Sequence, residues 1–340
     1  MYKSLKQEIS RYRRMARWYY ALKRSRTKLK RIDQRPIPSQ SDEIRLFTMA
    51  RNEALRLPYF LKYYFERGVD RIFFIDNNST DETARIALDH ERVHVFQTKE
   101  SFKYYYFWME NLLQHYGKTY WCLGIDLDEF LVYPQAETVS IRHLTEYLEK
   151  NGYSAMYGLM LDMYAGTDLK EIAYQSGEDP LKYCQYFDTD FDKSDRELYN
   201  EKLGSKFQSM RFSGGMRKRL FGVEPNLTKV PLFKYGSKIY TAAGMHAIDG
   251  AVIADIRGAV LHFKYLQDFV NRTIEESQRG QHAGGAALYK PMAEGLKNNT
   301  ITGLYHPESV KYEDTAQLVA LGMLQASNNY EKFCRQMASR

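Results

Sequence analysis

Two carboxylates two residues apart are the part of this chain best suited to chemistry. Asp126 and Asp128 follow an apolar run, residues 120–125, whose β-branched and aromatic side chains are typical of a buried strand. On an extended backbone they would point the same way, so two like charges would need a cation between them. Hard carboxylate oxygens suit Mg²⁺ or Mn²⁺. The pattern predicts a divalent-metal site, although the same acids would also suit a solvent-facing strand end or a turn cap.

Two further polar clusters follow apolar runs. Residues 51–53 (Arg-Asn-Glu) come after the run 44–50, and residues 76–79 (Asp-Asn-Asn-Ser) come at the end of the run 71–76. Each cluster alone would be typical of an ordinary turn, because Asn, Asp and Ser are common turn residues. In parallel α/β sheets, however, ligands bind beyond the carboxyl ends of the strands. Three polar clusters at three strand ends therefore predict one binding site.

Strand-like and helix-like stretches alternate from residue 44 onward. The strand-like runs are 44–50, 71–76, 93–98, 120–125 and 154–162, and the helix-like runs are 58–67, 79–90, 104–116 and 140–150. Pro58 suits a helix start, Ser79 and Glu82 have capping-box spacing, and Gly117 suits a helix end. Such alternation indicates βαβ units. We therefore predict an α/β fold with a Rossmann-like, mostly parallel sheet flanked by helices.

The length and composition of the chain limit the classes of protein to which it can belong. The chain has 340 residues, of which 44% are hydrophobic, so it can bury a sizeable core. Cys122, Cys184 and Cys334 are far apart, which argues for a reducing compartment and against a disulfide framework or zinc site. No apolar run approaches the roughly 20 residues of a membrane-spanning helix, and the charged opening lacks a signal-peptide pattern. We expect a cytoplasmic protein.

The first 35 residues carry most of the positive charge. Thirteen Lys and Arg face two acids there, a net charge of +11, which leaves −4 for the remainder of a chain whose net charge is +7. Trp18, Tyr19 and Tyr20 lie among these cations, and the absence of Gly or Pro before Pro36 favours a helix. The arm would suit an anionic membrane surface, and equally nucleic acid or a solvated tail.

Later segments give weaker signals. Residues 177–196 are acidic and aromatic and predict a long loop. Residues 212–221 combine two glycines with three cations, which suits either a phosphate-binding turn or a plain basic turn. His262 lies in the strand-like run 258–265, residues 280–285 form another candidate loop, and residues 314–340 predict a closing helix.

These motifs together resemble the family 2-type glycosyltransferases of the GT-A fold. The specific segments are residues 48–53, 75–81 and 126–130, and the last (Asp-Leu-Asp-Glu-Phe) is similar to a bacterial branch with an Asp-x-Asp-Glu-Phe metal motif. Weaker similarity continues through the segments 160–164, 186–188, 214–221 and 261–264. The resemblance covers roughly residues 44–285, and the basic arm lies outside it.

We expect three parts in the chain, and the resemblance implies a nucleotide-sugar donor, with UDP-sugar favoured. The parts are a basic arm and linker (1–40), a GT-A domain (41–290, with a nucleotide half 41–135 and an acceptor half 136–290) and a helical tail (291–340). Asp76 would bind the nucleobase, and Asp126 would hold the ribose. The remaining residues implied for the nucleotide are Ala50, Arg51, Asn52, Glu53, Asn78 and Arg217.

The same resemblance implies a bound Mn²⁺ or Mg²⁺. Asp128 would ligate the metal, with Asp126 acting directly or through water. A late histidine often completes such sites, and His262 is the first choice and His246 the second, although either would also suit a buried structural histidine. The metal and Arg217 would stabilise the leaving diphosphate.

Inverting transfer also needs a base for the acceptor hydroxyl. Asp162 is the best-placed candidate, at the end of the fifth strand-like run, and Glu129 and Asp188 are alternatives. A turn role would explain Asp162 equally well.

The resulting hypothesis is a cytoplasmic hexosyltransferase, peripheral on the inner face of the membrane, that builds a surface polysaccharide, lipopolysaccharide or lipid-linked glycan. Two rivals remain. A haloacid-dehalogenase-like phosphatase shares the Asp-x-Asp after a buried strand, but there the motif usually opens the domain. A nucleic-acid-binding protein would use the basic arm, yet the remaining chain is net negative and carries no such motif.

Overall fold

A computed structural model of the protein describes residues 2–242, 244–281, 287–298 and 300–338, with side chains from residue 6. The strands are β1 (Lys30–Arg31), β2 (Ile44–Ala50), β3 (Arg71–Asp76), β4 (Val93–Gln97), β5 (Trp121–Gly124), β6 (Glu129–Val132), β7 (Ala155–Asp162), β8 (Tyr186–Phe187), β9 (Phe191–Asn200), β10 (Ser205–Gly214), β11 (Thr228–Lys234), β12 (Tyr240–Ala242), β13 (Ala247–Asp249), β14 (Gly258–His262) and β15 (Val310–Lys311). The helices are α1 (Tyr2–Lys28), α2 (Leu57–Glu66), α3 (Thr83–Asp89), α4 (Tyr105–Leu112), α5 (Ile141–Lys150), α6 (Gly215–Phe221), α7 (Phe269–Arg279), α8 (Tyr289–Lys297), α9 (Thr315–Ala320) and α10 (Asn328–Ala338).

A nine-stranded sheet in the order β1-β4-β3-β2-β5-β11-β7-β14-β6 forms the centre of the fold. Strands β2, β3, β4, β5, β7 and β14 run in one direction, and β1, β6 and β11 run in the other. The prediction of an α/β fold with a large, mostly parallel sheet flanked by helices is confirmed. The carboxyl ends of the six parallel strands consequently share one edge.

Alternation along the strands separates two hydrophobic cores. In β2, Leu46 packs with α2 and α5 on one face of the sheet, while its neighbour Phe47 packs with α4 on the other face. Phe73 and Phe74 of β3 divide in the same way. Successive side chains of a strand point to opposite faces, so a fully apolar run is what a strand covered by helices on both sides requires.

Helix α3 begins later than the capping-box spacing predicts. Its N-cap is Glu82, not Ser79. The Ser79 hydroxyl accepts a hydrogen bond from the Asn52 backbone N–H (3.0 Å), and the Asp81 carboxylate accepts one from Thr83 N–H (3.0 Å). The predicted cap is wrong because Ser79 ties two loops together across the sheet edge.

Three later predictions also need correction. The predicted loop 177–196 ends in strand β9, which pairs with β10 in a long antiparallel hairpin. The predicted basic turn 212–221 is largely helix α6. The predicted closing helix is broken into α9 and α10. Of the candidate loop 280–285, residues 282–285 lie outside the described residues.

The predicted helix in the basic arm is confirmed as α1. Its second half packs against the rest of the protein. Trp18 is 1% exposed and packs with Phe207 and Tyr240, while the Asn111 side chain donates to the Leu22 carbonyl at 3.1 Å. Strand β1 then pairs with β4 at the sheet edge. In the described parts of the chain, no helix combines the length and apolarity needed to cross a membrane.

Trp18 should anchor α1. Trp18→Ala is expected to lower the free energy of unfolding by about 3 kcal/mol, because truncating a buried tryptophan leaves a cavity. Tyr20→Ala on the same helix should change it by less than about 0.5 kcal/mol, since Tyr20 is 71% exposed. Urea denaturation of the two variants tests this, and equal effects would contradict the docking of α1.

Candidate functional site

The structure places the predicted polar clusters along one edge of the sheet. Ala50 at the end of β2 lies beside Asp76 at the end of β3. His262 at the end of β14 lies beside Asp162 at the end of β7, and it is also opposite Glu129 at the start of β6. Because the strands are held in register, side chains far apart in sequence meet at this edge.

The loops after β2 and β3 hold each other in place. Asp76 is fully buried, and its carboxylate accepts hydrogen bonds from Ser79 N–H (3.1 Å) and the Gln97 amide (2.9 Å). The Asn52 side-chain oxygen accepts one from Thr80 N–H at 2.8 Å. The two loops, residues 51–56 and 77–82, therefore hold each other in a fixed position at the carboxyl ends of the strands. We call this pair of loops the wall.

The same two loops contain two asparagines with left-handed backbone and one partly buried arginine. Asn52 and Asn78 have φ values of 54° and 57°, a region that Asn tolerates better than most residues. Among the described residues, Arg51 Nε is buried without a hydrogen-bond partner. The Glu53 carboxylate forms salt bridges with Arg56, at 3.3 Å, and with Arg272. Arg56 Nε is also buried without a partner, but the other nitrogens of Arg56 are bound to Glu53 and Asp268. Arg51 is therefore a cation here with bonding capacity for a ligand.

The two predicted metal carboxylates do not point the same way. Residues 125–128 connect β5 to β6, and the Glu129 N–H donates to the Asp126 carbonyl at 3.0 Å, which closes a turn. The expectation of an extended backbone is therefore wrong. Asp126 Oδ2 lies 2.9 Å from Lys229 Nζ, and Asp128 Oδ2 lies 3.3 Å from His262 Nε2. The repulsion between these carboxylates is relieved by two separate protein cations.

Lys229 is a buried cation that sequence reasoning missed. It is 2% exposed and reaches both Asp126 and Glu129, the second at 2.7 Å. Burial alone would lower the pKa of Lys229, but the two carboxylates raise it above its usual value. Burial raises the pKa of Glu129 even though Lys229 opposes the shift. The available signal was a lysine within an apolar strand, where an unpaired charge is too costly.

A chain of ion pairs links Asp128, directly before β6, to helix α6 through His262 and Asp162. His262 Nδ1 lies 2.6 Å from Asp162, which also receives two hydrogen bonds from Arg217, at 2.7 and 3.1 Å. Burial would lower the pKa of His262, but Asp128 and Asp162 raise it to about 9. Burial would raise the pKa of Asp162, but Arg217 and His262 lower it to about 2. At neutral pH, His262 is therefore a cation held by two carboxylates.

The four predicted metal ligands do not form one ligand set. In the described part of the chain, no three His, Cys, Asp or Glu side chains are arranged to hold a metal. Asp126 faces Lys229, and His246 Nδ1 lies 2.5 Å from the Thr228 carbonyl. Burial lowers the pKa of His246 to about 3, so this ring is neutral. Asp128 and His262 alone are adjacent, which fits a metal only if ligand oxygens complete its coordination.

The three predicted base candidates occupy different surroundings. Asp162 and Glu129 belong to the buried ion-pair network. Asp188 lies outside that network, where Arg219 Nε is 2.8 Å away and the Tyr164 hydroxyl donates to it. Asp188 also lines a cavity of about 360 Å³.

Helix α7 contributes two further cations that sequence reasoning missed. Arg272 pairs with Glu53 after β2, and Arg279 lies 3.4 Å from the Asn77 side-chain oxygen after β3. Residues seven apart lie on one face of a helix, and that spacing was the available signal. The two arginines tie α7 to both loops of the wall.

Comparison with known proteins adds little. No protein-family model matches the chain, and neither does any curated protein. Among solved structures, the crystal structure of UDP-glucose pyrophosphorylase complexed with UDP-glucose aligns over 88% of this chain and 100% of its own, with 9% identity and a TM-score of 0.24. A similarity at that TM-score carries no argument about fold or function.

Lys229 should stabilise the fold in a pH-dependent way. Lys229→Met is expected to cost about 3–5 kcal/mol of unfolding free energy, because it leaves the buried Glu129 carboxylate unpaired. Glu129 has a raised pKa in the folded state, so protonation favours folding. The loss should therefore be smallest near pH 5 and grow as the pH rises through that raised pKa.

The double variant Lys229→Met/Glu129→Gln provides the control for this prediction. It removes the unpaired charge, so it should recover most of the stability and the added pH dependence should disappear. Denaturant unfolding at pH 5 and pH 8 measures both effects. A pH-independent loss in the single variant would show that Glu129 is not the group left unpaired.

Proposed function

We propose that this protein is a metal-dependent, inverting glycosyltransferase that uses a nucleotide-sugar donor. The supporting observation is the shared edge where the wall formed by the β2 and β3 loops meets Arg51, Lys229, His262 and Arg217. A nucleoside diphosphate carries several negative charges beside a polar, planar base, so it needs both a cationic region and a rigid loop pocket. This edge offers both.

In this proposal, the wall binds the nucleoside. Asp76 recognises the nucleobase, with its carboxylate already oriented by Ser79 and Gln97. Ala50, Asn52, Glu53 and Asn78 form the surrounding pocket through their tied loops. The free bonding capacity of Arg51 is directed to a phosphate, since a guanidinium can bind phosphate oxygens in a bidentate manner.

A divalent metal, Mn²⁺ or Mg²⁺, would be held by Asp128 and His262 together with diphosphate oxygens, and Asp126 would contribute through water or hold the ribose. Bound there, the metal would supply positive charge to the leaving group. Binding at His262 Nε2 must displace the proton that the ring carries at neutral pH, so metal affinity should rise with pH.

The transfer step makes one bond and breaks one bond. The acceptor oxygen forms a bond to the anomeric carbon, while the bond from that carbon to the diphosphate oxygen breaks and its electron pair leaves with the diphosphate. Lys229 and Arg217 stabilise that charge. The low pKa of Asp162 fits a carboxylate that positions Arg217 and His262. Glu129 and Asp188 then remain to accept the hydroxyl proton.

Donor binding should be visible as thermal stabilisation. Wild-type protein with UDP-, GDP-, CMP- and dTDP-sugars, each with and without Mn²⁺, should show a metal-dependent shift for one nucleotide class. A ligand at 100 times its Kd stabilises by about 2.7 kcal/mol, which differential scanning fluorimetry detects. The shift should be lost in Asp128→Asn and weakened in Arg51→Gln.

Asp89→Asn is the matched control, because its exposed carboxylate makes the same charge change far along α3. It should retain the full shift. If well-folded protein shows no shift with any donor, the transferase proposal fails. Magnesium-dependent hydrolysis of p-nitrophenyl phosphate by the same sample would then favour the phosphatase.

We further propose that α1 places the enzyme on an anionic membrane surface, where lipid-linked or surface-glycan acceptors are made. Trp18, Leu22 and Ser25 form the docked stripe of the helix. Away from this stripe the helix exposes Tyr12 and Tyr20, 65% and 71% exposed, together with the exposed cations Arg13, Lys23 and Arg26. Interfacial aromatics surrounded by cations are the pattern of helices that lie on anionic lipid.

Vesicle sedimentation tests this orientation. Binding to vesicles with 30% phosphatidylglycerol should fall at least fivefold in Arg13→Gln/Lys23→Gln/Arg26→Gln and should weaken with added salt. The control Lys62→Gln/Lys150→Gln/Lys332→Gln removes the same charge from exposed positions on other helices and should bind like wild type. Equal loss in both variants, or retention on an RNA column instead of vesicles, would overturn the membrane proposal.

A further inference from the structure

The cavity beside Asp188 lies on the other side of α6 from the ion-pair network. Arg217 contacts Asp162, whereas Arg219 contacts Asp188. Residues two apart on an α-helix point in nearly opposite directions, so α6 separates the two regions. The cavity has a volume of about 360 Å³ and is lined in part by Asp190, Lys218 and His306.

We propose that this cavity is a saccharide-binding subsite for the acceptor, an inference that rests on the proposed transferase function. Its lining contains carboxylates, cations, an imidazole and the hydroxyl of Ser309. An anionic ligand would meet Asp188, Asp190 and Glu308, and a cationic ligand would meet Lys218 and Arg219. A neutral ligand rich in hydroxyl groups can donate to the first set and accept from the second.

The polar groups of the cavity are already oriented. Asp188 receives hydrogen bonds from Arg219 and the Tyr164 hydroxyl, and Tyr164 lies 2.9 Å from the Ser309 hydroxyl. Arg219 also donates to the Leu304 carbonyl at 3.0 Å. Fixed partners reduce the entropy that a ligand must lose on binding. Asp190 is exposed and has no side-chain partner among the described residues, so it is available to a ligand hydroxyl.

Two tyrosines are close in sequence to residues that line the cavity. Tyr305 directly precedes His306 and is 47% exposed, and Tyr186 lies two residues before Asp188. Their ring centroids are 5.0 Å apart in an edge-to-face arrangement. An exposed ring with polar groups beside it suits the C–H face and the hydroxyls of a sugar ring. The buried residue Met163 joins Asp162 at the end of β7 to Tyr164, whose hydroxyl donates to Asp188 of the cavity.

Saturation-transfer NMR on the full chain tests the subsite. The probes are methyl glycosides of glucose, galactose, mannose, N-acetylglucosamine and rhamnose, with lactose and maltose as longer probes. At least one should give a signal, and its affinity should fall at least fivefold in Tyr305→Ala and in Asp190→Asn. The matched controls Tyr20→Ala and Asp89→Asn alter an exposed tyrosine and an exposed aspartate elsewhere and should bind like wild type.

Absence of signal with every probe, or unchanged affinity in both cavity variants, would overturn the subsite. Titration of the same samples with UDP and Mn²⁺ separates this result from the proposed function. Nucleotide binding without saccharide binding would reject the subsite alone. Saccharide binding that the cavity variants abolish, in protein that binds no nucleotide, would support the cavity as a sugar site and reject its role in a transferase.

Discussion

Neutralisation of buried carboxylates is the constraint on which this structure depends. Asp128 and Glu129 lie at the start of β6 and Asp162 lies at the end of β7, where water cannot solvate them fully. Lys229 and His262 supply the compensating charge from two other strands. An unpaired charge at any of these positions would cost several kcal/mol (about 3–5). The ion pairs between these residues therefore help to fix the relative positions of β6, β7, β11 and β14.

Much of the fold follows from local patterns. The apolar runs ending at Ala50, Asp76 and Asp162 form strands at nearly the predicted positions, because a strand covered on both faces must be apolar throughout. The convergence of the polar clusters follows from the parallel arrangement of those strands. Both conclusions need only the period of the sequence and the general rules of α/β sheets.

The contacts within the site could not be predicted in the same way. The directions of Asp126 and Asp128 depend on a turn that the short segment does not specify, and their partners Lys229 and His262 are more than 100 residues away. The β9–β10 hairpin was missed because β9 is rich in charged residues, buries only Asn200 and lacks strand-like alternation. Pairing between distant segments decides these features, and local propensity carries little information about it.

The short strand β1 has a consequence for the solubility of the protein. It lies at the outer edge of the nine-stranded sheet, where its pairing with β4 occupies backbone groups that would otherwise be open. The unpaired backbone groups of an open sheet edge can pair with other chains, and native proteins prevent this with charged or covered edge strands. Here Lys30 and Arg31 form the edge, and the docking of α1 holds them there. Detachment of this segment would expose β4 as a template for intermolecular sheet growth.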